Sequence, residues 1–467
     1  MSINEPVVMK FGGTSVATAN GIQTIAEITG QSTNPVVIVV SALSGITDKL
    51  LAFLKLPKHK FNSHQEEIRR IHLSLIESLL APANRTKAAG HLNQRIGELE
   101  TLLESSNNTP EFSDKIVSLG ETLSSFIVSE ALNERNIKSR QIISTDCIIT
   151  NDIFGSADFI PGPTGKKVRK IIGPLLNNGI VPVITGFLGS TPDNRTTTLG
   201  RGGSDYTASI LGHCLNALEV QIWTDVDGIF TADPRVVEDA KLIDRISYKE
   251  ASELATFGAK VLHPRTIRPA ILRNIPVRVL NTFNPKSKGT LITNEPTRKK
   301  GVKAVTSKLK TTLINIHSTD MLFSKGYLAR IFDIFAREEI SVDLVSVSEV
   351  SVSITLDENP KVARAIAELE KFAGVTQSSG VGTISLIGED VIESSHVLTE
   401  VSGLFHRNKI SIRMISFGAS NVNISFVVDE KDVKKAVRLV HAQILSGQPL
   451  RIRPVKIDGL FAGGIKI

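Results

Sequence analysis

Four short, almost wholly apolar runs set the first constraint on this chain: Pro6–Met9, Pro35–Val40, Ile180–Ile184 and Val220–Trp223. Each is strand-length and none shows the polar alternation of a half-exposed strand. A strand that is apolar on both sides must be covered on both faces, so these runs read as buried parallel strands. Helical patterns separate them, which predicts an α/β fold with an open, mostly parallel sheet between helices. Phe61 to Ser105 differs. Ile68, Ile71, Leu75, Ile76, Leu79 and Leu80 fall at helical spacing, "APAN" breaks the pattern, and Leu92, Ile96, Leu99 and Leu103 resume it. A helical hairpin beside the sheet is predicted there.

The last third of the chain repeats. "ARIFDIFAREEISVDLVSVSEVSVSITLDE" starts at Ala329 and "TEVSGLFHRNKISIRMISFGASNVNISFVV" at Thr399. A shift of about 70 residues aligns them without a gap. Phe335/Phe405, Arg337/Arg407, Ile340/Ile410, Ser341/Ser411 and Val352/Val422 then coincide. Each copy reads as a helix, a polar turn and two alternating strands, which suits two small α+β modules. Before them, Asn284 to Gly301 is rich in Pro, Lys, Gly, Thr and Asn and reads as a domain edge. The expected division is therefore 1–295 for the α/β domain, 296–310 for a linker, and 311–385 and 386–467 for the two modules. The last strand of the second module is free to pair with the first.

Composition narrows the function classes. The net charge is +7, but no long block of like charge exists and only 5% of residues are aromatic. That argues against a nucleic-acid groove and suits anionic small molecules equally well. No apolar run approaches the ~18 residues of a membrane helix, and "MSINEPVVMK" does not read as a signal peptide. Two cysteines, Cys147 and Cys214, are too few for a disulfide framework or a cysteine zinc site. A cytoplasmic protein is expected.

Four segments place Gly, Ser/Thr and charge directly after apolar runs: "KFGGTS" (Lys10 to Ser15), "SALSGITD" (Ser41 to Asp48), "TTTLGRGGSDYTA" (Thr196 to Ala208) and "WTDVDGIFTADPR" (Trp223 to Arg235). A lone Gly-Gly is usually a tight turn. Four such segments in one domain point to a shared anion site, because ligands of open α/β sheets bind beyond the strands' carboxyl ends. Glycines let backbone N–H groups approach phosphate oxygens, and lysine or arginine supplies full charge. No G-x-x-x-x-G-K-[ST] occurs, since "GPTGKK" has the wrong spacing, and no G-x-G-x-x-G occurs.

"KFGGTS", "LGRGGSD", "WTDVDGIFTADPR" and "ATFGAKVLHPRT" together resemble the aspartate kinases of the amino-acid kinase family, over the whole chain. The two repeated modules resemble the paired ACT domains that follow the kinase domain there. The resemblance implies phosphorylation of the side-chain carboxylate of L-aspartate by MgATP to 4-phospho-L-aspartate, the first step toward lysine, threonine and methionine. It matches Lys10 to the lysine on the transferred phosphoryl group and Asp205 to the aspartate that orients it. Gly12 and Gly13 match the glycines beside that group, and Ser15 and Ser41 match hydroxyls near phosphate or substrate. Arg201 matches the partner of the α-carboxylate and Glu121 that of the ammonium, with Thr47 and Ser204 as further substrate contacts. Thr224, Asp225, Phe230, Asp233, Arg235 and Lys260 match nucleotide positions. Phe230 stands where many relatives have tyrosine, so one hydroxyl contact to ATP is not expected. Mg2+ is expected to ride on phosphates and water.

The first module resembles the lysine-sensitive, single-function kinases. Met321, Ser324, Gly326, Tyr327, Leu328, Ser341, Val342, Asp343, Val347, Ser348 and Glu349 match effector positions, with Asp343 and Glu349 as the acids for L-lysine. The second copy has Arg413 and Ala419 in place of those acids, so it is expected to pack a homodimer or tetramer instead. A non-catalytic amino-acid sensor and a kinase for glutamate or a nucleotide are the alternatives. A fused homoserine dehydrogenase is not expected in a chain of this length.

Overall fold

The computed structural model describes residues 5–104, 109–258, 262–295, 301–322, 324–391, 395–417 and 421–445. Among them, 5–230 and 241–295 form one unit, and 231–240 with 301–445 form a second.

The first unit is built on an eight-stranded sheet in the order β3 (Ser139–Ile142), β4 (Val181–Thr185), β2 (Val36–Val40), β1 (Val7–Phe11), β7 (Glu219–Thr224), β9 (Val277–Asn281), β10 (Thr290–Thr293) and β8 (Arg245–Ser247). A small hairpin, β5 (Leu188–Ser190) with β6 (Thr196–Thr198), stands apart from it. All pairings of the large sheet are parallel except β9 with β10. Each of the four apolar runs becomes a central strand. Two of them begin just after a proline, Pro6 and Pro35, which cannot donate to a ladder.

Val7, Met9 and Phe11 of β1 and Val36, Ile38 and Val40 of β2 join one core. The core is shared with α2 (Ala19–Gly30), α3 (Ile46–Ala52), α4 (Phe61–Leu79), α5 (Pro82–Glu104) and α6 (Pro110–Asn133). The α4–α5 hairpin turns at the expected break. Strand residues alternate faces, so Lys10 projects opposite Met9 and Phe11. There it meets α8 (Gly203–Leu215), which α7 (Pro161–Asn177) and α10 (Pro264–Ile271) flank. α1 (Gly13–Val16) follows β1, and α9 (Tyr248–Thr256) packs beside β8 and β10.

The second unit holds a six-stranded antiparallel sheet in the order β12 (Leu344–Val347), β13 (Ser351–Asp357), β11 (Ala304–His317), β14 (Gly374–Ile387), β16 (Asn423–Asp429) and β15 (Ile412–Phe417). Its helices are α11 (Tyr327–Arg337), α12 (Val362–Leu369), α13 (Ser395–Arg407) and α14 (Glu430–Val440). The two sequence copies fold as α11-β12-β13 and α13-β15-β16, with Phe335 and Phe405 both fully buried.

Three boundaries differ from the sequence reading. Residues 304–310, expected as linker, are strand, because Ala304 to Lys308 pair with Ile387 to Thr383. The expected cut at 385/386 falls inside β14, so both modules share one sheet. Residues 231–240 belong to the second unit. Ala232 and Val237 are buried in its core, and the Thr231 carbonyl accepts from Val305 N at 2.8 Å. The expected C-terminal strand lies outside the described residues. Among those residues, no helix is long and apolar enough to cross a membrane.

Candidate active site

β1 is the point from which the chain pairs outward both ways, with β2 on one side and β7 on the other. A crevice at such a switch point is where open α/β sheets bind ligands. Lys10 is the next-to-last residue of β1 rather than the first residue beyond the strand. The ladder continues to Phe11, and Gly12 N donates to Trp223 O at 3.0 Å. The Lys10 ammonium lies 2.7 Å from Asp205 Oδ1, and both side chains are nearly buried. Asp205 stands in the first turn of α8, whose N-cap Gly202 has φ 70°. "LGRGGSD" therefore makes a left-handed turn that presents Arg201 and then starts the helix that presents Asp205. At Gly13 an added Cβ would stand 2.9 Å from Ala42 O, so the first glycine loop lies directly on "SALSG".

These loops enclose a cavity of about 740 Å³ lined by Lys10, Gly13, Ser41, Thr47, Glu121, Arg201, Ser204 and Asp205. The sequence singles out all eight, from four separate stretches. Gly155 and Phe187 also line it and were missed. Phe187 has φ 68°, strained for a bulky residue. Its amide donates to Thr207 Oγ1 at 3.0 Å. No pattern in the sequence marks such a residue.

Glu121 is buried on α6. Its Oε1 accepts Ala42 N–H at 3.2 Å, and Oε2 has no hydrogen-bond partner among the described residues. Burial pushes its pKa up to about 8, against the pull of the Ala42 amide. A cation entering the cavity would restore the charged form. Arg201 is exposed and pairs with no carboxylate of the described residues. His263, the N-cap of α10, is held below the usual histidine pKa by burial and by Arg201 and Arg265. Near neutral pH it therefore stays uncharged beside those two arginines.

Some predicted residues lie elsewhere. Ser15 is fully buried, and its hydroxyl shares a 2.7 Å hydrogen bond with Thr282 Oγ1 instead of lining the cavity. Thr282 N donates in turn to Thr224 O at 2.9 Å, so Ser15 braces the first glycine loop against the end of β7. Gly12 uses its N–H in the sheet. Thr224 Oγ1 donates to the exposed Asp225 at 3.1 Å, and half-buried Phe230 bridges Leu242. Asp233 and Arg235 belong to the second unit, where they pair with each other at 2.7 Å. Lys260 lies outside the described residues.

In the second unit, Met321, Ser324, Gly326, Tyr327, Leu328, Val347, Ser348 and Glu349 line a cavity of about 420 Å³. Ser341, Val342 and Asp343 do not. They precede β12 while Val347 ends it, and four strand residues span about 13 Å. Asp343 Oδ2 lies 2.6 Å from Lys308 Nζ, which also reaches Asp357 Oδ1 at 2.8 Å. A bulge in β11 just after Lys308 accompanies this placement. Burial works against the Lys308 charge, but the hydrogen bonds to the two aspartates outweigh it and hold its pKa above the ordinary value.

The Amino acid kinase family description matches residues 5–281, and an ACT domain description matches 384–444. The lysine-sensitive aspartokinase 3 of Escherichia coli (strain K12) is 38% identical over 95% of this chain and 100% of its own length. Aspartokinase 1, chloroplastic, of Arabidopsis thaliana is 38% identical over 93% of this chain and 79% of its own length. The crystal structure of E. coli aspartokinase III in complex with aspartate and ADP, an R-state, superposes with a TM-score of 0.83. It covers 94% of this chain and 99% of the E. coli chain at 38% identity. The T-state complex of the same enzyme with lysine and aspartate gives 0.81. With a cavity lined from four separate sequence stretches and full-length relatives at this identity, the chain belongs to the amino acid kinase family, among its aspartokinases.

Proposed function

We propose that this protein transfers the γ-phosphoryl group of ATP to the side-chain carboxylate of L-aspartate, giving 4-phospho-L-aspartate and ADP. The observation that carries the reading is one cavity that holds a Lys10–Asp205 pair together with Glu121 and Arg201. Aspartate's ammonium suits the unpaired Glu121 oxygen, and its α-carboxylate suits the Arg201 fork. The reacting carboxylate is already an anion, so no base has to remove a proton from it. A carboxylate oxygen forms the new bond to phosphorus as the bridging bond to ADP breaks. Such a reaction needs alignment and charge neutralisation more than covalent help. Lys10 supplies the positive charge and Asp205 holds it in place. Ser41, Thr47 and Ser204 remain available to the substrate. Among the described residues no group of three or more His, Cys, Asp or Glu is placed to hold a metal. Mg2+ is assigned mainly to the ATP phosphates and water, because this ion keeps several waters and needs few protein ligands.

L-Lysine is the proposed effector, at the 420 Å³ cavity of the first repeat, where Glu349 offers a carboxylate. The lysine-bound E. coli relative supports this. Asp343 completes the recognition only from a second copy or after rearrangement, which favours a homodimer through the ACT-like modules. A cytoplasmic location fits this chemistry.

Trapping the acyl phosphate with hydroxylamine tests the reading. Aspartate should give hydroxamate that depends on ATP and falls when lysine is added, and glutamate should give little. Hydroxamate from glutamate, or none from either acid, would overturn it.

A further inference from the structure

Helix α6 carries a second buried acid that the proposed chemistry does not use. Asp114 is only 2% exposed, and no cation of the described residues pairs with it. Its Oδ2 accepts Gly155 N at 2.9 Å and Thr198 N at 2.8 Å, and its Oδ1 accepts the Thr198 hydroxyl at 2.8 Å. Burial raises its pKa while those three donors oppose the rise. A carboxyl group withdrawn from water without such donors is costly, so the convergence of three is a strong local commitment.

One donor residue lines the substrate cavity, and the other lies two residues before Gly200, which also lines it. Gly155 lines it directly. Thr198 ends β6, three residues before Arg201, and its carbonyl accepts Ala157 N at 2.8 Å. Gly200 has φ 75°, and an added Cβ there would come within 3.1 Å of Ser156 Oγ and 3.2 Å of Gly155 O. The 155–157 and 198–200 segments thus lie on one another, and Asp114 fastens both to α6. Arg201 itself is exposed and pairs with no carboxylate of the described residues, so its backbone, not its side chain, has to fix where it stands. Asp114 and Glu121 are two helical turns apart on one side of α6.

We propose that Asp114 is a positioning residue that ties the Arg201 loop to the helix bearing Glu121, so that the spacing of these two groups matches an α-amino acid. Ammonium and α-carboxylate hang from one carbon, and both contacts form only when their partners are held together. This rests on the reading of Glu121 and Arg201 given above. Lys10 and Asp205 stand on β1 and α8 and are held without Asp114, so the effect should fall on aspartate and not on ATP.

The test is steady-state kinetics of the full-length protein by hydroxamate formation. Asp114→Ala should raise KM for aspartate about 10- to 100-fold, as small misplacements of binding groups do, with KM for ATP changed less than about twofold. Asp114→Asn keeps an oxygen for the two N–H groups, and the Thr198 hydroxyl can turn to accept from its amide. It should stay within about threefold of wild type. Thr198→Val removes one donor and should raise KM for aspartate about fivefold. An unchanged aspartate KM in Asp114→Ala overturns the proposal, as does an equal rise for both substrates or an Asn variant as impaired as Ala. If Asp114→Ala does not fold, Thr198→Val decides by the same criteria. Failure of the underlying function would look different, because the wild-type protein would then give no aspartate-dependent hydroxamate.

Discussion

Two acids of this chain that the sequence matches to an amino acid's ammonium, Glu121 and Asp343, are held in opposite ways. Glu121 is kept buried with one oxygen unsatisfied and a pKa pushed up to about 8. Asp343, one of the two acids expected for the effector and outside the 420 Å³ cavity, already has the Lys308 ammonium at 2.6 Å. A catalytic site gains from an unmet demand, because substrate binding relieves it in place. Asp343 has its charge satisfied in advance, so nothing has to enter for it to be stable. The second repeat shows the same economy with reversed sign: Arg413, equivalent to Asp343, pairs with Asp429 at 3.0 Å.

The contrast breaks most visibly at Lys10. Lys10→Ala should lower kcat by about 10³-fold or more, since it removes a preorganised charge from the transferring phosphoryl group. Circular dichroism should show the fold intact, and activity within tenfold of wild type would remove Lys10 from the chemistry.

The next effect concerns pH. Below about pH 8 the empty enzyme carries a neutral Glu121, while the bound ammonium favours the carboxylate. Aspartate binding should therefore release a proton. KM for aspartate should fall as pH rises toward 8, by up to about tenfold per pH unit, and level off above it. Glu121→Gln should raise KM and flatten the profile. A wild-type profile that is flat from pH 6 to 8 would mean that Glu121 is already charged.

On the regulatory side, Glu349→Gln should raise the half-inhibitory lysine concentration about tenfold, the scale of one charge-assisted hydrogen bond, with uninhibited kcat unchanged. Lys308→Met sharpens the comparison further. It frees Asp343, so lysine should inhibit at about three- to fivefold lower concentration, the scale of one partly exposed ion pair. An unchanged inhibition curve would separate Asp343 from effector binding. The smallest effect is structural. Thr282→Val leaves the Ser15 hydroxyl buried without its partner and should cost about 1–3 kcal/mol of stability in denaturant unfolding.

The sheet, the helical hairpin and the paired modules were legible because each repeats a pattern over many residues. Apolar runs, helical spacing and the 329/399 alignment all survive local noise. The cavity wall was legible where a motif joins several unusual residues, as in "LGRGGSD". It was not legible where a common residue acts through an unshared contact. Asp114 looks like any helix acid in "EFSDK", Phe187 like any core aromatic, and Ser15 like a phosphate-loop hydroxyl until Thr282 arrives from 267 positions away. Asp343 differs from these. It has the charge a cationic effector needs, but β12 separates it from the 420 Å³ cavity and Lys308 already engages it.

The excursion at residues 231–240 bears on how this protein can be cut. The chain passes from the first unit to the second after Phe230, returns at Lys241, and crosses again near residue 300. A truncated chain ending at residue 295 would keep Ala232 and Val237 but lose the residues of the second repeat that bury them. That product should be sticky and poorly soluble. The kinase half is thus not a detachable module, and a protease that nicks the chain near residue 300 should leave the two fragments bound to each other.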